Sequence, residues 1–306
     1  MENFTVDMGY PLYTYHWPAR DPGSSRAVVQ LVHGIAEHMG RYDEFAAFLN
    51  DYGYEVYGHD HPGHGQTGPE LGHVPGDAMS HLLGGISAVA DRIRERHPGK
   101  PVYLFGHSVG CSLALRSMEL NPAGWDALIL SGPGTPNPAL FERLILLTNK
   151  TYKEKRKEAR PHKLFYKLFL NRSKTSLLSG SRSLAWRTRD REALALFHND
   201  PYSGQEMDFE FMRSLANGIS VWYRREELDR MDKALPVLIM SGSSDLVGGF
   251  GKGATTLAKS FTARGLSQVY LRLYEGARHD LLWETSKRET MYDILDFLRL
   301  AGKEPI

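Results

Sequence analysis

The sequence predicts an α/β fold: a mostly parallel sheet with helices on both faces, interrupted by a helical insertion. Three observations predict it. Short apolar or β-branched runs alternate with amphipathic helical patterns along both ends of the chain. GHSVG at 106–110 lies between one such strand and one such helix. The alternation stops at about residue 137, residues up to about 222 carry helical patterns without a convincing buried strand, and the sheet pattern resumes at Pro236. The expected division is therefore a core of residues 1–136 and 223–306, with residues 137–222 as a helical cap.

In chain order, 5–7 and 12–17 read as an opening pair of strands, and DPGSS at 21–25 as a turn. AVVQLVH at 27–33 is an apolar strand. Residues 41–52 carry Phe45, Phe48, Leu49 and Tyr52 at helical spacing, and Gly53 ends the pattern. A strand opens at Tyr54 and runs into a loop, HPGHGQTGP at 61–69. Residues 79–96 form a helix closed by His97-Pro-Gly99, residues 101–105 a strand, and residues 112–120 a helix stopped near Pro122. Residues 127–130 and 236–240 are further buried strands. A helix over 254–264, an alternating strand over 269–274 and a helix over 285–301 complete the chain.

Composition narrows the class. In 306 residues, 42% hydrophobic and 24% charged, the formal net charge is +1, which gives no sign of a nucleic-acid partner. Cys111 is the sole cysteine, so an intrachain disulfide is excluded; it reads as a small packing residue. The first residues lack a basic stretch followed by an apolar one, and no apolar run approaches the roughly 18 residues of a membrane span. A cytoplasmic protein is expected. Charge is unevenly spread. Residues 143–191 hold 15 Lys or Arg against 3 Asp or Glu, leaving 22 basic and 33 acidic residues elsewhere. Such a face is either solvated or suited to an anionic membrane surface beside the apolar Leu164–Leu170 stretch, and Lys153, Lys155, Arg156 and Lys157 are the expected contact patch.

The chemistry centres on Ser108. A tight strand-to-helix turn tolerates no bulk two residues either side of the serine, hence Gly106 and Gly110, and it holds the hydroxyl near a helix N-terminus. A serine nucleophile needs a base, and the base an orienting acid. Thirteen histidines are available, and position decides among them. Asp245 follows a strand and His279 follows the last strand, at the sheet ends where chemistry collects in this architecture. Each alone also fits a turn or loop residue. With the serine they give the order Ser, Asp, His expected of a strand–turn–helix nucleophile. His59, Asp60, His61 and His64 invite a metal reading, but further ligands are missing, so no metal and no cofactor is expected.

At these residues the sequence resembles the monoacylglycerol lipase and lysophospholipase branch of the α/β-hydrolase superfamily. The matching pieces are HGIAEHMGRY at 33–42, DHPGHGQ at 60–66, GHSVG at 106–110, NDP at 199–201, SGSSD at 241–245 and GARH at 276–279. The stretches 241–253 and 274–284 are also similar to a bacterial lysophospholipase-like subgroup. The resemblance implies an α/β-hydrolase fold and a serine ester hydrolase acting on monoacylglycerol or lysophospholipid. It implies an oxyanion hole from the backbone N–H groups of Ile35 and Val109. His33, Gly34, Glu37, Arg41 and His107 would support the site, with Glu37 and Arg41 as a buried pair. Animal relatives carry a second histidine three residues past the catalytic one, where this sequence has Leu282. Under the cap, Phe141, Leu144, Ile145 and Leu146 would line an acyl tunnel. An acyl thioesterase, a small-ester carboxylesterase and an amide hydrolase are alternatives within enzymes. A non-catalytic binding protein is the alternative outside them, disfavoured because all three residues of the Ser–Asp–His set are kept.

Overall fold

The computed structural model describes residues 1–68, 70–74, 76–135 and 184–303. Eight strands form one sheet: β1 (Glu2–Asp7), β2 (Pro11–Trp17), β3 (Ala27–Val32), β4 (Tyr54–His59), β5 (Val102–His107), β6 (Ala127–Ser131), β7 (Val237–Gly242) and β8 (Val269–Tyr274). Their spatial order is β1-β2-β4-β3-β5-β6-β7-β8. The β1–β2 hairpin joins β4 antiparallel, and every pairing from β4 to β8 is parallel. The sheet is thus mostly parallel, as the sequence predicts.

Central strands read as unbroken apolar runs because both faces are covered. Val28, Val32, Leu104, Leu128, Leu130, Val237 and Ile239 face one core cluster. Their alternate neighbours Val29, Leu31, Phe105, Ile129, Leu238 and Met240 face the other. Helices α1 (Asp43–Asp51) and α8 (Lys287–Ala301) cover the second face. Helices α2 (Ala78–Arg96), α3 (Val109–Leu120), α5 (Phe209–Trp222) and α7 (Lys252–Ala263) cover the first. Between them in sequence lie α4 (Arg191–Asn199) and the one-turn α6 (Arg225–Leu228).

The helix expected over 41–52 is divided. Met39–Tyr42 is a 3-10 turn, and the α-helix starts at Asp43. The turn is anchored from outside, since the Met39 amide donates to Asp60 Oδ1 at 2.8 Å. The helix expected from 112 starts at Val109, directly after the serine, and the strand before it runs on to His107. The last helix starts at Lys287, after a 3-10 turn over Leu281–Trp283.

Within the expected cap, the described residues are helical or irregular. Helix α5 buries Phe211, Met212, Leu215, Ala216, Ile219 and Trp222 in the same cluster as α2 and α3. Phe141, Leu144, Ile145, Leu146, Lys153, Lys155, Arg156, Lys157 and the Leu164–Leu170 stretch lie outside the described residues. Among the described residues no helix is long and apolar enough to cross a membrane.

Candidate active site

The turn from β5 to α3 has the geometry its glycines demand. Ser108 sits at φ 54°, ψ −119°, a strained conformation for a non-glycine residue. A Cβ on Gly106 would lie 2.4 Å from the Gly110 carbonyl oxygen, and one on Gly110 would lie 2.2 Å from that of Val32. Both neighbours are backbone, so the crossing of β3, β5 and α3 requires glycine twice. The strain is held by the parallel strands either side and by the Ser108 amide, which donates to the Ser131 carbonyl at 3.0 Å.

The loops after β7 and β8 bring the other two residues in. His279 Nε2 lies 2.8 Å from Ser108 Oγ. On its other side, His279 Nδ1 lies 3.0 and 3.1 Å from the two carboxylate oxygens of Asp245. Asp245 is fully buried and also accepts from the Val247 amide at 2.8 Å. The His279 pKa is set by a contest. Burial works to lower it, but the charge and hydrogen bond of the Asp245 carboxylate outweigh burial, so the pKa stands above the ordinary histidine value. The serine can therefore lose its proton to a strengthened base, with the orienting acid fixing which nitrogen faces it.

The loop after β3 approaches the serine from the other side. A Cβ on Gly34 would lie 3.0 Å from Ser108 Cβ and 2.8 Å from Glu37 Oε1, so this approach too depends on glycine. The amides of Ile35 and Val109 have no hydrogen-bond acceptor among the described residues. Val109 opens α3, where first-turn amides have no partner inside the helix and the dipole favours negative charge. His33 is buried. Its Nε2 accepts from the His61 amide at 3.0 Å, and burial and its histidine neighbours push its pKa well down. His59 and His64 are likewise pushed down by burial, to about 3 and about 4. The four histidines therefore pack as neutral rings beneath this loop.

Glu37 and Arg41 meet, and they belong to a larger buried group. Glu37 Oε1 accepts from the Gly34 amide at 2.6 Å and from the Tyr42 hydroxyl at 3.1 Å, while Oε2 pairs with Arg41. Arg41 also lies 3.6 Å from Asp280, and Arg187 donates from Nε to Asp280 at 2.8 Å. His107 Nε2 is 3.4 Å from the other Asp280 oxygen, outside hydrogen-bond geometry, and its Nδ1 faces the Ser131 carbonyl at 3.1 Å. Burial would raise both carboxyl pKa values, but the surrounding cations, led by Arg41 for Glu37 and Arg187 for Asp280, win, so that Glu37 stands below the ordinary carboxylate value and Asp280 well below it. Arg41 stacks on Trp283 at 4.1 Å and Phe197 at 4.7 Å.

Sequence reasoning missed Asp280, Arg187 and Ala36. Ala36 adopts φ 57° next to Ile35, and an alanine gives no sequence signal for that. Asp280 directly follows His279, and a buried acid beside the base was there to be asked about. Arg187 and Arg189 belong to the basic stretch, yet Arg187 points inward and Arg189 is tied to a buried carboxylate. Arg187 is 6% exposed, and Arg189 pairs with the buried Glu284 at 2.9 Å. Arg187 is therefore not part of a solvated face, while Arg189 is half-buried. Leu282 is buried in the core cluster with Leu281, Met291 and Ile294.

Residues 23–286 match the family described as serine aminopeptidase, S33. The monoglyceride lipase of Rattus norvegicus is 28% identical over 277 residues, 89% of this chain and 81% of that protein. A monoglyceride lipase homolog of Monkeypox virus is 27% identical over 95% of both chains. A thermostable carboxyl esterase from Bacillus coagulans, solved in complex with glycerol, superposes with a TM-score of 0.85 over 98% of both chains at 22% identity, a likeness of fold. On the extent of the family match, the chain belongs to the serine aminopeptidase S33 family of α/β-hydrolases.

Proposed function

We propose that this protein is a serine carboxylic ester hydrolase that cleaves single-chain acyl lipids, monoacylglycerol or lysophospholipid, through an acyl-enzyme on Ser108. The observation that carries the reading is the continuous Asp245–His279–Ser108 relay, 3.0 and 2.8 Å long, ending on a strained serine. The acyl-lipid substrate rests on the monoglyceride lipases among the relatives and on a Bacillus subtilis phospholipase, 32% identical over 109 residues.

In the proposed reaction, Ser108 Oγ attacks the ester carbonyl carbon and passes its proton to His279 Nε2. Asp245 stabilises the imidazolium. The carbonyl oxygen gains negative charge facing the Ile35 and Val109 amides, donors already in place and worth most where water is excluded. Collapse expels the alcohol, which leaves with the proton from His279. Water, deprotonated by His279, then attacks the acyl-serine, and His279 returns the proton to Ser108 Oγ as the fatty acid leaves. Residues 137–222 serve as the cap, and the basic residues beyond Arg187 and Arg189 meet anionic lipid surfaces. A single buried cysteine suits a cytoplasmic setting.

A hydrolysis panel tests the reading. Monoacylglycerols and lysophospholipids should exceed acyl-CoAs, short p-nitrophenyl esters and aminoacyl p-nitroanilides in kcat/KM. A preference for the anilides would return the chain to amide hydrolysis. Vesicle co-sedimentation at low salt tests the surface contact; equal binding to neutral and anionic vesicles would remove it.

A further inference from the structure

At the opposite end of the sheet from Ser108, three metal-ligating side chains converge. His16 stands near the end of antiparallel β2, Glu55 near the start of β4, and His97 caps the C-terminus of α2. One ligand atom from each lies within 4.8 Å of the others. From the geometry we infer that His16, Glu55 and His97 form a binding site for a divalent transition metal of the zinc class.

The polar accounting supports a missing partner. Glu55 is fully buried, and its two oxygens are treated unequally. Oε2 takes His16 Nε2 at 2.8 Å and the Ala19 amide at 3.2 Å, whereas Oε1 has no hydrogen-bond partner. A buried carboxylate oxygen left without a donor is unusual and points to a cation or water that completes it. His16, 8% exposed, lies with its Nδ1 3.4 Å from Glu2 Oε2, within ion-pair range but outside hydrogen-bond geometry. With Nε2 on a metal, Nδ1–H would be free to donate to that carboxylate, the usual outer support of a ligating histidine. The His16 ring is also fixed by stacking on Tyr57 at 4.1 Å.

The donor set selects the metal class. Two imidazoles and one carboxylate suit zinc and its neighbours, and the nitrogen ligands disfavour magnesium and calcium. Three protein ligands leave a fourth position for water. Partly exposed His97 gives access from solvent. Bound there, the ion would tie the edge hairpin β1–β2 to β4 and to the end of α2. The proposal does not depend on which ester the enzyme cleaves.

The test uses full-length protein freed of metal by chelation, titrated with zinc sulfate while thermal unfolding is followed, and separately with Co2+ while visible absorption is followed. The wild type should bind zinc at this site, unfold at a higher temperature with it, and give the visible bands of nitrogen-ligated Co2+. His97→Gln, which changes a partly exposed residue and leaves the catalytic histidine intact, should lose the thermal shift and weaken these bands. His16→Gln should do the same. Zinc stabilisation and a Co2+ spectrum unchanged in His97→Gln would overturn the site, as would a wild type that neither unfolds later with zinc nor colours with cobalt.

Discussion

Arg41→Ala separates a buried network that organises the site from one that only fills space. Glu37 and Asp280 are fully buried carboxylates balanced by two guanidinium groups, Arg41 and Arg187. Removing Arg41 leaves Glu37 with the Gly34 amide and the Tyr42 hydroxyl, while Arg187 stays 3.9 Å away. Breaking one side of a buried pair costs about 3–5 kcal/mol, and lost stacking on Trp283 and Phe197 adds about 1 kcal/mol. Arg187 offsets part of this, so a loss of about 4 kcal/mol is expected, a large share of the roughly 5–15 kcal/mol that holds a domain folded. Urea unfolding followed by tryptophan fluorescence reads it. The control is Glu37→Gln combined with the same Arg41→Ala, which removes the charge and its partner together. It should lose less than the sum of the single variants by about 2 kcal/mol. Activity should fall as well, with kcat reduced about 10- to 100-fold and KM little changed, because Glu37 holds the amide next to Ile35. A stability loss below about 1 kcal/mol, or strictly additive single variants, would refute the reasoning.

Two further predictions follow from distances. Asp245→Asn should lower kcat by about 10⁴-fold through the wrong His279 tautomer. Because Asp245 raises the His279 pKa, the acid limb of the kcat/KM–pH profile should also move to lower pH; an unmoved limb would mean that another group sets it. Gly110→Ala puts a Cβ 2.2 Å from the Val32 carbonyl oxygen and should lower stability by at least about 1–3 kcal/mol, whereas Gly134→Ala, with nothing within 4 Å, should be near neutral in the same urea-unfolding assay.

Much of this was legible because it is local. The alternation of buried strands and helices is a periodicity, and the serine turn is a sterically forced pattern of five residues. Asp245 and His279 could be chosen from many acids and histidines because each follows a predicted strand. The Glu37–Arg41–Arg187–Asp280 group was only half legible. Glu37 and Arg41 are one helical turn apart, but Arg187 and Asp280 reach them only through the tertiary fold. Composition counted Arg187 as surface charge, and only the packing of 184–190 against 278–284 shows that it faces inward. The positive φ of Ala36 is imposed by its loop, which the Gly204 amide reaches through the Ala36 carbonyl at 2.8 Å.

The most direct measurement is the mass of the protein quenched in acid during turnover of a long-chain monoacylglycerol. The account predicts a species heavier by one fatty acid less one water, mapped by peptide digestion to Ser108, and absent from Ser108→Ala, whose turnover should fall by on the order of 10⁶. Ser108→Ala that still hydrolyses the lipid at a comparable rate, or an adduct mapped to any other residue, would contradict it.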